Sequence, residues 1–182
     1  IYIKPITSAN EGISCFTKKM ISIVVPTYNE KDNLKNLLSR LTAVFLGINI
    51  NYEVVFIDDH STDGTWEELQ RLTANSPQIK FFKKEGKKGK AFSLCEGFEK
   101  TSGGILVIID ADLQYPPEAI LQMVKGLENA DVIVANRKNY YDSATRKLLS
   151  RTFRFAFGKF LFGIDSDIQS GLKVFKRSVW ET

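Results

Sequence analysis

Asp110, Asp112 and Gln114 follow directly on a run of apolar residues, Ile105-Leu106-Val107-Ile108-Ile109. All but Leu106 are β-branched, the composition of a strand buried on both faces. Two carboxylates and an amide at the mouth of such a strand are costly to desolvate unless something neutralises them. If the chain stays extended, positions i, i+2 and i+4 point to one side. Three oxygen donors on one side suit a hard divalent cation such as Mg²⁺ or Mn²⁺. The plainer alternative is a solvated loop after a core strand. Which of the two holds depends on what else the chain brings to that end of the strand.

Other apolar runs end in the same way. Ile21-Ser22-Ile23-Val24-Val25, closed by Pro26, reads as a buried strand that ends in Thr27-Tyr28-Asn29-Glu30. Leu34, Leu37, Leu38, Leu41, Val44 and Phe45 form the stripe of a helix within residues 29–45 packed on a sheet. Tyr52–Ile57 predicts a second strand that ends in Asp58-Asp59. Asp63-Gly64-Thr65 is a turn, and Thr65 with Glu68 predicts a capping box for a helix running to about Asn75. Ile79–Phe82 reads as a third strand, followed by a basic loop from Lys83 to Lys90 and a helix marked by Ala91, Leu94, Cys95 and Phe98. Gly103-Gly104 leads into the central strand. Pro116-Pro117-Glu118 opens a helix, and Asp131–Ala135 is a fifth strand leading to Asn136-Arg137. This alternation predicts an α/β fold: a mostly parallel sheet with helices on both faces. In such sheets ligands gather at the carboxyl ends of the strands. The polar segments all fall there, which favours a ligand site over a chance loop.

Composition sets wide bounds. A chain of 182 residues fits one domain with a sizeable core. A hydrophobic content of 43% with 25% charged residues is that of an ordinary globular protein. The net charge of +4 is compatible with anionic partners as well as with plain solubility. Cys15 and Cys95 lack metal-ligand spacing and read as incidental thiols of a reducing compartment. No apolar run is long enough to span a membrane. Residues 1–19, with Pro5, Asn10 and Gly12 and no clear period, are expected to be a loose leader. Residues 20–182 are expected to form the domain, which continues past Trp180-Glu181-Thr182 in a longer chain. Gly86 to Gly89 does not match a P-loop, and no Gly-x-Gly-x-x-Gly follows the first strand, which excludes the usual nucleoside triphosphatases and dinucleotide enzymes.

Four stretches together carry a family resemblance: Val25-Pro26-Thr27-Tyr28-Asn29-Glu30, Ile57-Asp58-Asp59-His60-Ser61-Thr62-Asp63-Gly64-Thr65, Gly89-Lys90-Ala91, and Asp110-Ala111-Asp112-Leu113-Gln114-Tyr115-Pro116-Pro117-Glu118. The set resembles the family-2 glycosyltransferases of GT-A fold, above all their dolichol-phosphate mannosyltransferase and undecaprenyl-phosphate glycosyltransferase branches. Asp167-Ile168-Gln169-Ser170-Gly171-Leu172-Lys173-Val174-Phe175 is similar to their Asp-x-x-Ser-Gly-Phe segment, with Leu172 in place of Phe. The resemblance spans roughly Ile21 to Phe175. It implies a three-layer α/β/α domain and a GDP- or UDP-linked sugar donor. On that resemblance Pro26, Tyr28, Glu30, Asp58, Asp59, Lys90, Asp110 and Ala111 bind the nucleotide sugar. Asp110 and Asp112 hold Mg²⁺ or Mn²⁺ between the phosphates with Gln114 as a further ligand, and Asp112 and Arg137 are catalytic. Lys83, Lys84, Lys87 and Lys88 read as a solvated face.

The acceptor follows from what is missing. A hydroxyl acceptor needs a general base, which processive synthases of this fold commonly carry in an Asp-rich motif followed by Gln-x-x-Arg-Trp; neither Glu-Asp nor that segment occurs here. A lipid phosphate, with a second pKa of about 6, is largely ionised at neutral pH and needs only cations to place it. Arg137 and Arg151 are the expected acceptor-phosphate residues, with Arg146 a further candidate. In residues 144–162, Leu149, Phe153, Ala156, Phe157 and Phe160 make one helical face and Leu148, Phe155 and Phe162 a second, with Lys147, Arg151 and Arg154 between them and Lys159 flanking the second. This is the pattern of a helix lying at a membrane surface, or of one packed on another segment or a second copy. The expectation is an inverting, metal-dependent hexose transfer, of mannose or glucose, to polyprenyl phosphate at the cytoplasmic face of a membrane. The alternatives are a same-fold transferase acting on a glycan or protein hydroxyl, or a nucleotide-binding domain without catalysis. Nucleic acid is not an expected partner, because an acidic cluster repels a phosphate backbone.

Overall fold

The computed structural model describes residues 19–74, 76–135 and 170–182. Strands β1 (Ile21–Thr27), β2 (Tyr52–Asp58), β3 (Ile79–Lys83), β4 (Ile105–Ile109), β5 (Val132–Val134) and β6 (Leu172–Lys176) form one sheet in the order β3-β2-β1-β4-β6-β5. Among the described residues the helices are α1 (Lys31–Phe45), α2 (Thr65–Thr73), α3 (Lys90–Glu99) and α4 (Ile120–Gly126), the last entered through a 3₁₀ turn at Pro117–Ala119. β1 to β4 run parallel. The α/β class and the helices on both faces are as the alternation predicts.

The sixth strand is not anticipated. Leu172–Lys176 inserts between β4 and β5 and pairs antiparallel with both. Val174 lies opposite Val107 on one side and Ile133 on the other. Two antiparallel pairings in succession return β5 to the direction of β4, so the carboxyl end of β5 faces the same sheet edge as those of β1 to β4.

Every residue of β4 is buried, as its unbroken apolar run requires. On one side of the sheet, Ile21, Ile23, Val25, Val107 and Ile109 pack with Leu34, Leu37 and Leu41 of α1, Leu69 of α2 and Ile120 of α4. Full burial of each such side chain is worth about 1.5–3 kcal/mol. The other side is smaller. Val24, Leu106, Ile108 and Phe175 meet Phe98 of α3, whose ring stands edge-on to Phe175 at 5.5 Å and tilted against Trp180 at 5.0 Å.

The capping box does not form. Gly64 occupies the cap position of α2 at φ 93°, a left-handed conformation that glycine adopts without strain. Thr65 cannot cap because its hydroxyl accepts the Glu30 N–H and donates to Asp63. Glu68 turns forward instead, to Arg71 at 2.6 Å.

The amino-terminal edge of the sheet is locked by a buried carboxylate. Glu53 accepts from the Ser22 hydroxyl at 2.7 Å, the Ser102 N–H at 2.7 Å and the Lys80 ammonium at 2.9 Å. The Ser22 hydroxyl in turn accepts the Gly103 N–H at 2.8 Å. This network joins β1, β2 and β3 to the turn before β4, and leaves the opposite edge to carry the polar loops. Among the described residues, no helix is long and apolar enough to cross a membrane.

Candidate active site

Among the described residues, three that are not glycine have positive φ: Asn29 at 55°, His60 at 64° and Leu113 at 58°. Each lies in the loop after a central strand, β1, β2 or β4, so local strain gathers at the carboxyl edge.

The first two of these loops are stitched together. Asn29 donates its N–H to Ser61 at 2.9 Å and accepts the Thr62 N–H at 2.8 Å. The Glu30 N–H reaches Thr65 at 2.9 Å, and the Lys31 N–H reaches Asp63 at 3.2 Å. The first turn of a helix has N–H groups without intrahelical partners, and α1 meets this need with side chains from the next loop. Asp63 pays a burial cost for its charge, but the hydrogen bonds from Thr65 and Lys31 outweigh it and hold the carboxyl below its ordinary range. Asp58 is part of the same stitching. It is 1% exposed, and Ser61 gives it both its N–H and its hydroxyl.

Asp59 faces the other way. Its Oδ2 accepts the Gly89 N–H at 2.7 Å and pairs with Lys84 at 3.2 Å. Burial raises its pKa, but the Gly89 and Lys84 contacts outweigh that and the carboxyl lies below the usual range. Its Oδ1 is buried without a hydrogen bond among the described residues, with His60 Nδ1 3.5 Å away. Lys84 also donates to the Gly89 carbonyl at 2.8 Å, and its side chain has no solvent exposure. The expectation of a solvated face is therefore wrong for Lys84, which is buried against Asp59 and the Gly89 carbonyl.

Asp110 emerges from β4 with its N–H on the Gly171 carbonyl at 3.0 Å. A Cβ at residue 171 would collide with the Asp110 carboxylate, so glycine there makes room for it. Lys90, at the start of α3, contacts both Asp110 oxygens, at 2.6 and 2.7 Å. Asp112 accepts the Gln114 N–H at 3.1 Å, and Leu113 takes the left-handed conformation. The extended continuation expected for residues 110–114 is thus replaced by a turn, and strand alternation does not govern where Gln114 points.

A cleft of about 210 Å³ at this edge is lined by Pro26, Thr27, Tyr28, Glu30, Asp59, Lys90, Ser93, Asp110, Ala111 and Asp112. The structure thus brings Pro26, Tyr28, Glu30, Asp59, Lys90, Asp110, Ala111 and Asp112 together. Asp58 and Gln114 do not line the cleft. Arg137, Arg146, Arg151 and the helix expected at residues 144–162 lie outside the described residues. Thr27 and Ser93 are additions. Thr27 lies inside a quoted motif, and Ser93 follows from its place one turn into α3.

Four carboxylates and one lysine line the cleft, and the charge imbalance is felt. The Glu30 carboxyl is pushed up by burial first; the hydrogen bond from Asn33 opposes this, and the charges of Asp112, Asp110 and Asp63 add to it. An all-oxygen donor set with excess negative charge fits a hard divalent cation. No group of three His, Cys, Asp or Glu among the described residues could enclose one. Two carboxylates completed by phosphate oxygens and water are the usual site for Mg²⁺. The residues therefore fit a cation that shares its coordination with a diphosphate.

The sheet order and the paired aspartates at its carboxyl edge define a GT-A fold. The chain matches the profile of the family described as Glycosyl transferase family 2 over residues 22–182, and it belongs to that family. It is 39% identical over 118 residues to a dolichol-phosphate mannosyltransferase of Pyrococcus furiosus, covering 64% of this chain and 33% of that protein. It is 34% identical over 163 residues to an undecaprenyl-phosphate 4-deoxy-4-formamido-L-arabinose transferase of Aeromonas hydrophila, covering 88% of this chain and 50% of that protein. In structure it resembles a mannosyltransferase of Pyrobaculum calidifontis in complex with GDP-Man and Mn²⁺, at TM-score 0.64 and 25% identity, over 90% of this chain and 46% of the other. The glucosyl-3-phosphoglycerate synthase of Mycobacterium tuberculosis in complex with UDP shares the fold at TM-score 0.74 and 20% identity, over 98% of this chain and 64% of the other. The chain thus spans a third to a half of the length of these two curated relatives.

Proposed function

We propose that this chain is the donor-binding and catalytic part of an enzyme that moves a hexose from a GDP- or UDP-linked sugar to a polyprenyl phosphate, with inversion, at the cytoplasmic face of a membrane. The observation that carries this reading is the cleft itself. It brings the carboxylate of Asp59 and the paired aspartates Asp110 and Asp112 onto one lining. Asp59 offers a carboxylate to the polar edge of a nucleobase, and exposed Tyr28, on the same lining, offers a stacking surface. Asp110 and Asp112 would hold Mg²⁺ or Mn²⁺ together with the donor diphosphate. When bound, that cation neutralises charge on the departing diphosphate. α3 begins at Lys90 and points its positive end toward the same space.

The names of the two curated relatives supply the acceptor class, dolichol phosphate for one and undecaprenyl phosphate for the other. An ionised phosphate oxygen attacks the anomeric carbon from the face opposite the leaving group. The bond from that carbon to the β-phosphate oxygen breaks, and the nucleoside diphosphate leaves with the electron pair. No proton has to be removed from the acceptor, so no general base is required. Arg137 and Arg151 are proposed to hold the acceptor phosphate.

The test is transfer from GDP-mannose and UDP-glucose to a short-chain polyprenyl phosphate, with Mn²⁺ or with EDTA. Asp110→Ala and Asp112→Ala are expected to reduce transfer by at least about a hundredfold, as loss of a main electrostatic stabiliser does. Full activity of either variant in EDTA would refute the metal role. Preference for soluble glycan acceptors over the lipid phosphate would refute the acceptor.

A further inference from the structure

Lys90 holds Asp110 by both carboxylate oxygens, at 2.6 and 2.7 Å, and is the one cation lining the described cleft against Glu30, Asp59, Asp110 and Asp112. Its main chain is anchored. The preceding Gly89 gives its N–H to Asp59, and its carbonyl accepts from buried Lys84 and from the Ser93 N–H at 3.2 Å. Its side chain is not anchored in the same way. The Lys90 side chain is 48% exposed and that of Asp110 22%, so the ammonium can leave by rotation about its own bonds while Gly89 stays put.

We propose that Lys90 is a resident counter-ion, which occupies Asp110 until a divalent cation displaces it, so that cation and nucleoside diphosphate enter the cleft as coupled ligands. This rests on the metal role proposed above for Asp110 and Asp112. Without a diphosphate, a divalent cation must break the Lys90–Asp110 pair and then stand beside the freed ammonium, which opposes its binding. With a diphosphate present, the freed ammonium has a new anion in the same cleft, and the opposition disappears. The lysine therefore suppresses cation binding to the empty cleft and favours it in the loaded one.

The experiment measures Mn²⁺ affinity by isothermal titration and by the electron paramagnetic resonance of free Mn²⁺, in the chain without nucleotide and then with UDP or GDP. Lys90→Met is expected to bind Mn²⁺ up to about fivefold more tightly than the unchanged chain in the absence of nucleotide, the size of one partly solvated ion pair. Lys90→Arg, which keeps the charge, is expected to stay near the unchanged chain. With nucleotide present the advantage of Lys90→Met should vanish or reverse. Equal or weaker Mn²⁺ binding by nucleotide-free Lys90→Met overturns the counter-ion role and leaves the metal reading intact. Absence of Mn²⁺ binding in every form, or binding that survives Asp110→Asn, overturns both. Thermal melting shows that each variant is folded.

Discussion

Lys84 is a lysine with no solvent-exposed side chain, and its charge is met by one carboxylate and one carbonyl. Removing one member of a buried pair leaves the other charge uncompensated, whereas removing both together can be almost neutral. Lys84→Met is therefore expected to destabilise the fold by about 3 kcal/mol. Asp59→Asn should also be costly, and the double variant should lose less than the sum of the two, with a coupling of about 1–3 kcal/mol in urea denaturation. Strict additivity would mean that the pair is solvated and the basic loop is not tied to Asp59. Nothing in the local sequence marks Lys84 out. It sits in a run of lysines, and its burial depends on where β2 places Asp59. Asp110 and Asp112 are legible because an apolar run that stops at a carboxylate is a local pattern. The position of Gln114 is less so, because alternation assumes an extended chain and the left-handed Leu113 ends the extension.

At the level of elements, the first turn of α1 depends on loop residues 32 and 35 positions further along the chain. Its own cap residue, Glu30, makes no capping hydrogen bond, and Asp63 and Thr65 take the N–H groups of Lys31 and Glu30 instead. Asp63→Ala should cost about 1 kcal/mol, the usual value of a lost helix cap. It should also speed hydrogen exchange at the Lys31 amide and weaken nucleotide binding several-fold, because the same contacts fix Glu30 at the cleft. Asp63→Asn keeps an acceptor and should lose much less of each. Unchanged exchange at Lys31 in the alanine variant would show that the cap is dispensable. The strands before these loops can be read because each is a compact apolar run. β6 escapes because Leu172–Lys176 falls outside the strand–helix alternation that marks the others, and its place between β4 and β5 rests on antiparallel pairings with segments distant in sequence. The capping box fails for a related reason. Thr65 has the right spacing to Glu68, but its hydroxyl is already committed to a loop distant in sequence.

Across the whole molecule the two edges of the sheet have opposite tasks. The carboxyl edge gathers strained loops and excess negative charge, and the amino edge must hold the strands in register while it does so. Glu53 is central to that edge. Burial alone would raise its pKa, but the Ser102 N–H, Lys80 and Ser22 outweigh burial and bring the carboxyl from an ordinary 4.5 down to about 2. A carboxyl whose pKa is lowered on folding stabilises the native state fully above its unfolded pKa, and this contribution is lost as pH falls toward the folded value. The gap from 4.5 to about 2 corresponds to at most about 3 kcal/mol at neutral pH. Stability in urea should therefore fall between about pH 5 and pH 2, and Glu53→Gln should flatten that part of the profile. The deficit of Glu53→Gln relative to the unchanged chain should be largest at pH 7 and shrink as the native glutamate becomes protonated. The three strands that meet at Glu53, and β4 after the turn they hold, also carry the loops of the cleft, so the same variant is expected to weaken nucleotide binding at pH 7 without touching any cleft residue. A deficit that is equal at pH 7 and pH 2.5 would mean that Glu53 contributes through packing, and that its charge does not hold the amino edge together.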